Sequence, residues 1–175
     1  MSDKISHFSV IKGDITQQQT DAIVNAANTT LLGGGGVDGA IHRVAGPQLL
    51  EECRGLGGCK TGEAKITKGY LLPARYVIHT PGPIWHDGKK GESALLKSSY
   101  ENCLALAAEV GCRSVSFPSI STGVYRFPLH QAAKIAVETI LQFLNNHSLP
   151  QQVYMVCFDG WTQAAYETAL QDAGR

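Results

Sequence analysis

Residues 25–42 of this 175-residue chain read NAANTTLLGGGGVDGAIH, and this stretch decides how the rest of the sequence is interpreted. The four glycines at 33–36 follow two asparagines and precede an aspartate, and the stretch contains no Lys or Arg, the next being Arg43. Successive glycines let backbone N–H groups turn toward one anion, and a helix that begins near Val37 adds its positive end. The stretch therefore predicts an anion-binding loop, with a plain turn as the structural alternative.

The composition is that of one globular domain, which we expect to span residues 1–175. Hydrophobic residues make up 43% of the chain, and 15 Lys and Arg balance 15 Asp and Glu. This balance argues against a broad basic surface for nucleic acid. The first residues contain no long apolar run, so we expect no signal peptide, no membrane span and a cytoplasmic location.

The cysteine pattern argues against a disulfide framework or a structural zinc site. The five cysteines are odd in number, and no pair has C-x-x-C spacing. We therefore expect reduced thiols that fill the core. Because no His, Asp or Glu cluster has metal-ligand spacing, the sequence predicts neither a catalytic metal nor another cofactor.

Strand-like and helix-like patterns alternate throughout the second half of the chain. Strands are expected within 7–16, 21–28, 62–67, 75–80, 113–120 and 152–158, and helices within 37–46, 48–55, 92–111, 129–147 and 160–174. This alternation predicts an α/β fold, in which a largely parallel sheet of about six strands is covered by helices on both faces.

Four polar or glycine-rich segments lie where predicted strands end, at 13–14, 25–36, 80–85 and 118–125. In such sheets ligands bind beyond the carboxyl ends of the strands, so we expect these segments to meet at one edge. The segment SISTGVY, at 119–125, resembles the glycine run in lacking Lys and Arg. Two such loops would suit a diphosphate held by backbone amides, although the second could also be a plain turn.

A dinucleotide fingerprint is the competing interpretation of the glycine run. Residues 34–39 fit G-x-G-x-x-G, which favours an NAD-dependent oxidoreductase if a strand leads into the first glycine. Here the predicted strand ends near Asn25, and the acidic residues downstream, Glu51 and Glu52, lie in a predicted helix. A P-loop is excluded because no Gly-Lys-Ser/Thr follows.

Six segments together resemble the macrodomain family: GDIT, IVNAAN, GGGGVDGAIHRVAG, TGEAKIT, VIHTPGP and PSISTGVYRFP. They occur in the family's order over about residues 8–160 and are similar in particular to the hydrolytic MacroD-type branch, which includes bacterial O-acetyl-ADP-ribose deacetylases. The resemblance implies a three-layer αβα sandwich around a mixed, mostly parallel sheet, with a cleft for ADP-ribose. It also implies hydrolysis of esters on the distal ribose, in O-acetyl-ADP-ribose and in mono-ADP-ribosylated Asp or Glu of proteins.

The resemblance further implies roles for individual residues. Asp14, with Ile15 beside it, would accept from the adenine amino group, and Phe158 would lie against the ring. The diphosphate loop would consist of Ser121, Thr122, Gly123, Val124 and Tyr125, with Tyr125 covering the distal ribose.

At the distal ribose, the resemblance implies that Asp38 is the catalytic aspartate and that Asn28 orients the sugar. The ribose would lie along Gly35, Gly36 and Val37. Arg126 departs from the pattern, because relatives often have glycine there, and this bears on how freely the loop closes.

Most of these residues also have structural interpretations. Asp14 could cap a helix, Asp38 could interact only with a helix dipole, and Asn25 is expected to tie down the loop backbone. His42 and His79 are expected to pack or hydrogen-bond, and the places of Trp85 and Trp161 stay open. Whether Asp38 acts as a base or orients water also stays open. The presence of both Asn28 and Asp38 favours a hydrolase over the alternative, a non-catalytic ADP-ribose-binding module.

Overall fold

The structure is a computed structural model, and it describes residues 4–175. A 3-10 helix (Ile5–His7) precedes the first strand, and a second one (Ile15–Gln17) follows it. The strands and helices are, in chain order, β1 (Phe8–Lys12), β2 (Ala22–Ala27), α1 (Gly36–Ala45), α2 (Pro47–Arg54), β3 (Lys65–Lys68), β4 (Tyr76–Pro81), α3 (Glu92–Glu109), β5 (Ser114–Phe117), α4 (Leu129–Asn146), β6 (Gln152–Cys157) and α5 (Gly160–Ala173).

The six strands form one sheet in the order β1-β6-β5-β2-β4-β3. Five of them run parallel, and β3 pairs antiparallel with β4 at one end of the sheet. This confirms the expected mixed, mostly parallel sheet of about six strands.

Neighbouring residues of the strands face opposite layers, as strand geometry requires. On β2 and β4, Val24 and Ile78 pack into the core formed with α3, α4 and α5. Ile23 and Val77 belong to a second core, formed with α1 and α2 on the other face. The αβα sandwich is therefore confirmed. Residues Gly46 and Pro47 set the break between α1 and α2, since Gly46 has a φ of +87° and Pro47 begins α2.

The carboxyl ends of the five parallel strands lie at one edge of the sheet, and the segments expected to meet there follow those strands. Residues 13–14 follow β1, residue 158 follows β6, 118–128 follow β5, 28–35 follow β2 and 82–91 follow β4. The backbone N–H of Gly13 donates to the Cys157 carbonyl over 2.9 Å, which joins the first two of these segments.

All five cysteines are buried and free, as expected for core residues. Over residues 4–175, no helix combines the length and the apolar character needed to cross a membrane.

Candidate functional site

The loop after β5 presents a row of unpaired backbone amides. The N–H groups of residues 121–125 have no hydrogen-bond acceptor among residues 4–175. The loop is closed by Arg126 N–H, which donates to Gly123 O over 3.0 Å, and by Phe127 N–H, which donates to Ser121 O over 2.9 Å. Consecutive free amides of this kind form an anion-binding concavity.

Two non-glycine residues of this loop have left-handed backbone conformations. The φ angles are +67° at Ser121 and +64° at Arg126. Glycine adopts this region without steric cost, whereas other residues are strained in it. The structure thus gives a physical reason why glycine suits position 126, where this chain has arginine.

Hydroxyl groups, among them those of the buried Tyr100 and Tyr166, hold the loop on the side that faces the core. Ser119 Oγ lies 2.6 Å from Thr122 Oγ1 and 2.7 Å from the hydroxyl of Tyr166. The N–H of Ile120 donates to the hydroxyl of Tyr100 over 3.3 Å. Burial raises the pKa of Tyr166 to about 12, so this support stays uncharged around neutral pH.

The segment after β4 holds the same loop from the side. A Cβ added at Gly82 would fall 2.5 Å from Ile120 Cγ2 and closer still to Ser121 Oγ, so any larger residue would have to displace these side chains. Trp85 donates its backbone N–H to Tyr125 O over 2.8 Å, and its ring packs on Phe127 with centroids 4.8 Å apart. Trp85 therefore supports the loop. Sequence reasoning assigned no role to Gly82, although the P-G-P sequence directly after a predicted strand was a usable signal.

A buried carboxylate fixes the chain just beyond Trp85. Glu92, at the start of α3, accepts from the backbone N–H groups of His86, Gly88 and Lys90 over 2.7–3.1 Å. Burial by itself would raise the pKa of Glu92, but the backbone donors lower it to about 2. The ionised Glu92 thus orders the segment that supports the amide-lined loop.

The glycine run forms a second loop with free amides, and Asn28 organises it. Asn28 Nδ2 donates to Gly33 O over 2.9 Å, while its Oδ1 accepts from Thr30 Oγ1 over 2.6 Å and from Leu31 N–H over 3.2 Å. The N–H groups of residues 33–36 have no acceptor among residues 4–175. Since one hydrogen of the Asn28 amide is used within the loop, one remains for a ligand.

Asp38 lies in the first turn of α1, as expected, and its side chain is buried. Its Oδ1 accepts from Asn25 Nδ2 over 2.9 Å. His42 Nε2 is 3.4 Å from the same oxygen, without hydrogen-bond geometry. A Cβ added at Gly34 would lie 3.1 Å from Asp38 Oδ2 and 3.4 Å from Asn28 Nδ2. The carboxylate and the amide therefore meet at the same side of the glycine loop.

The expected role of Asn25 was wrong. Its side chain is fully buried and contacts Asp38 and His79, whereas Asn28 ties down the loop backbone. The reason is strand alternation, because Asn25 faces the same side of β2 as Ile23, toward α1. His79 is hydrogen-bonded and fully buried, as expected. Its pKa is lowered to about 4, mainly because of burial and secondarily because of the nearby charge of His42.

The third part of the edge lies where β1 and β6 end. Asp14 caps the 3-10 helix, since its Oδ1 accepts from Thr16 N–H over 2.9 Å and from Thr16 Oγ1 over 2.7 Å. Ile15 is buried against Ile23, and Phe158 is 81% exposed. Asp14 therefore acts as a helix cap, as its structural interpretation predicted, and its carboxylate also lies at the rim of the sheet edge.

Along the edge, the strand order places Asp14 and Phe158 at one end, the 121–125 loop in the middle, and the glycine loop with Asp38 beyond it. Trp161, whose place was open, is 78% exposed in the first turn of α5. Within residues 4–175, no group of three or more His, Cys, Asp and Glu side chains is arranged to hold a metal ion.

The fold and this edge define a three-layer α/β domain with backbone amides positioned for an anionic ligand. The family model described as "Macro domain" matches residues 24–136, which is more than half of the chain. The chain therefore belongs to the macrodomain family, as the sequence motifs indicated.

Similar proteins carry this description and more specific ones. A "Macro domain-containing protein CT2219" from Chlorobaculum tepidum is 60% identical over 91% of this chain and 93% of its own length. A protein from Escherichia fergusonii named "O-acetyl-ADP-ribose deacetylase" is 53% identical over 97% of this chain and 98% of its own length. A solved structure of a mutant Oceanobacillus iheyensis macrodomain with ADPR (ADP-ribose) is 45% identical, with a TM-score of 0.90 over 94% of this chain and 91% of that one.

Proposed function

We propose that this macrodomain binds ADP-ribose along the edge of its sheet and hydrolyses esters on the distal ribose, as in O-acetyl-ADP-ribose. The observation that carries the proposal is the meeting of Asp38 Oδ2 and Asn28 Nδ2 at Gly34, beside the amide-lined loop. A relative 53% identical over nearly the whole chain is named for this deacetylation, which supports the same reaction here.

The ligand would follow the order of the strands. Adenine would lie between Asp14 and Phe158, the diphosphate at the free amides of 121–125, and the distal ribose at the glycine loop. Amides in this arrangement bind an anion without Lys or Arg, which agrees with the net charge of zero. On the ribose, Asn28 would donate its remaining amide hydrogen to a hydroxyl group.

In the reaction, Asp38 would activate or orient a water molecule through Oδ2, because its Oδ1 is held by Asn25. The water oxygen attacks the acetyl carbonyl, and its proton passes to the carboxylate. The ester bond to the ribose oxygen then breaks, the ribose oxygen takes up the proton held by Asp38, and acetic acid leaves and ionises to acetate in solvent. Proton transfer of this kind contributes about 10²–10⁴-fold, and positioning can contribute as much.

The same site would also act on mono-ADP-ribose esterified to Asp or Glu of proteins, since the bond to be broken is again an ester on the distal ribose. Such modified proteins are the macromolecular partners that this chemistry implies. A cytoplasmic location would give the domain access to them.

The deciding experiment measures single-turnover release of acetate from O-acetyl-ADP-ribose together with ADP-ribose affinity. Asp38→Ala is expected to lower the rate by about 10²-fold or more while ADP-ribose still binds, because the diphosphate is held by backbone groups. Asn28→Ala should lower the rate with some loss of binding, and the double variant should be little slower than Asp38→Ala, because the two groups act as a unit. Asp172→Ala, on the exposed end of α5, is the matched control.

The outcomes separate a hydrolase from its main alternative. Binding of ADP-ribose without acetate release by the unsubstituted protein would identify a non-catalytic binding module. An unchanged rate in Asp38→Ala would place the chemistry at another group, with His42 as the next residue to substitute.

A further inference from the structure

A buried polar chain leads away from Asp38 through the sheet. Asn25 and His79 are register partners on β2 and β4, and both side chains are fully buried. Asn25 Nδ2 lies 3.1 Å from His79 Nδ1, and His79 Nε2 lies 2.9 Å from Thr67 Oγ1 on β3. Cys53 Sγ, from α2, is farther from the same ring nitrogen, at 3.8 Å.

Hydrogen-bond chemistry assigns a direction to this chain. A carboxylate can only accept, so Asn25 must present its NH₂ group to Asp38, and that group also faces His79 Nδ1. Nδ1 therefore accepts, and the ring hydrogen is on Nε2, from which it is donated to Thr67 Oγ1. The Thr67 hydroxyl can donate in turn to Lys68 O, 3.2 Å away.

The charge on the ring is consistent with this assignment. Burial and the neighbouring His42 lower the pKa of His79 to about 4, so the ring is neutral near pH 7 and one nitrogen can accept. The groups packed around it are Asp38 and His42 from α1, Cys53 from α2, and the non-titrating side chains of Asn25 and Thr67.

One buried atom shows what fixes the Asn25 amide. Its Oδ1 has no hydrogen-bond partner among residues 4–175, so the oxygen does not set the orientation. The orientation is set by the two acceptors that face Nδ2, which are Asp38 Oδ1 and His79 Nδ1. Rotating the amide by half a turn would bring Oδ1 against both the carboxylate and the ring nitrogen lone pair, which repels on both sides.

We propose that His79 and Thr67 are positioning residues for the hydrolysis: Thr67 holds His79 with its hydrogen on Nε2, His79 holds the Asn25 amide, and Asn25 holds Asp38 so that Oδ2 faces Gly34. This inference rests on the proposed function of Asp38. His79 and Thr67 do not touch the ligand site themselves, so their substitution should affect turnover more than ADP-ribose affinity.

The test compares variants that keep or remove the acceptor facing Asn25. His79→Asn places a carbonyl oxygen near the position of Nδ1, whereas His79→Leu has similar bulk and no polar atom. Thr67→Val removes the hydroxyl with little change in shape. The control is Thr139→Val, a buried threonine of α4 whose hydroxyl bonds only to Ile135 O within its own helix.

We expect His79→Leu to lower kcat by roughly tenfold or more, with ADP-ribose affinity within about twofold of the unsubstituted protein, since misplacing a catalytic group by about 1 Å can cost up to 10²-fold. His79→Asn should recover most of kcat. The kcat of Thr67→Val should lie between those of His79→Leu and the unsubstituted protein, and the kcat of Thr139→Val should be unchanged. Equal loss in His79→Asn and His79→Leu, loss of affinity in parallel with kcat, or an unchanged kcat in His79→Leu would each overturn the proposal.

A second measurement separates this inference from the proposed function. The side-chain NH₂ resonances of Asn25, assigned by their disappearance in Asn25→Asp, should exchange slowly with water and should exchange faster in His79→Leu but not in Thr139→Val. If the unsubstituted protein releases no acetate, the proposed function fails, and the positioning of Asn25 is then judged by this exchange alone. Unchanged exchange in His79→Leu would refute the positioning itself.

Discussion

Substitution of Gly82 by alanine tests whether the backbone geometry of the amide-lined loop determines ligand affinity. The added Cβ would lie 2.5 Å from Ile120 Cγ2 and closer still to Ser121 Oγ, where ordinary contact begins near 3.4 Å. The loop must therefore withdraw by roughly 1 Å, because close-packed interiors transmit such displacements. The side chain of Ile120 has little room to adjust by itself, since it is fully buried.

The expected loss of affinity follows from the hydrogen bonds that this shift would break. A hydrogen bond to a charged group contributes about 1.5–3 kcal/mol. Losing one bond between a loop amide and the diphosphate should weaken ADP-ribose binding by roughly 10–100-fold, at 1.4 kcal/mol for each tenfold change. The unfolding free energy should also fall, by about 1–3 kcal/mol for an overpacked site.

Titration calorimetry with ADP-ribose measures this effect on the folded protein. Gly55→Ala is the matched control, because its Cβ would make only an ordinary 3.5 Å contact at the end of α2, where the backbone is helical. Gly82→Ala affinity within twofold of the control would refute the claim that the fit between Gly82 and the loop sets the binding geometry.

Three further predictions concern the rim, the loop and the acid stability. Asp14→Ala should weaken ADP-ribose binding by about 1.5–3 kcal/mol, and an unchanged affinity in calorimetry would remove Asp14 from the adenine site. Arg126→Gly relieves the strain of a left-handed backbone at a non-glycine residue, and this gain should exceed the added flexibility of the unfolded chain. Thermal unfolding should show a Tm higher by about 1–3 °C, and a lower Tm would contradict this. Because the pKa of Glu92 is about 2 when folded and ordinarily 4.5, its ionised form stabilises the protein above pH 4.5 and that stability is lost as the pH falls toward 2. The Tm difference between the unsubstituted protein and Glu92→Gln should shrink over this interval, and a difference independent of pH would refute it.

Much of the fold could be predicted because its helices and strands have strong local signals. The long helices expected within 92–111 and 129–147 are α3 and α4, and the Gly-Pro pair ends α1 where expected. The antiparallel direction of β3 could not be derived from its own residues. It depends on pairing with β4, which is set by the connection between residues 68 and 76 and not by the pattern of four residues.

The candidate site also has a part that could be predicted from the sequence and a part that could not. The segments that meet at the edge could be predicted, because parallel strands place their carboxyl ends together. The role of tying down the loop backbone was wrongly assigned to Asn25, although alternation along β2 was available, since Ile23 and Asn25 share a face. The P-G-P sequence marked Gly82 as unusual, but the contacts of Gly82 and Trp85 with the loop could not be predicted because they join segments about 40 residues apart in the chain.

The support around the amide-lined loop follows from how the loop would bind. A site made of side-chain cations can adjust its rotamers to a ligand, whereas backbone amides act only at the position in which the chain is held. Here that position is set by Gly82 and Trp85 from one side, and by the Tyr100 and Tyr166 hydroxyls from below. Since none of these residues carries charge near neutral pH, the support positions the amides without adding a charge of its own. Substitutions in the support should therefore reduce affinity by displacing the loop, and those of exposed basic residues such as Arg126 should alter it less.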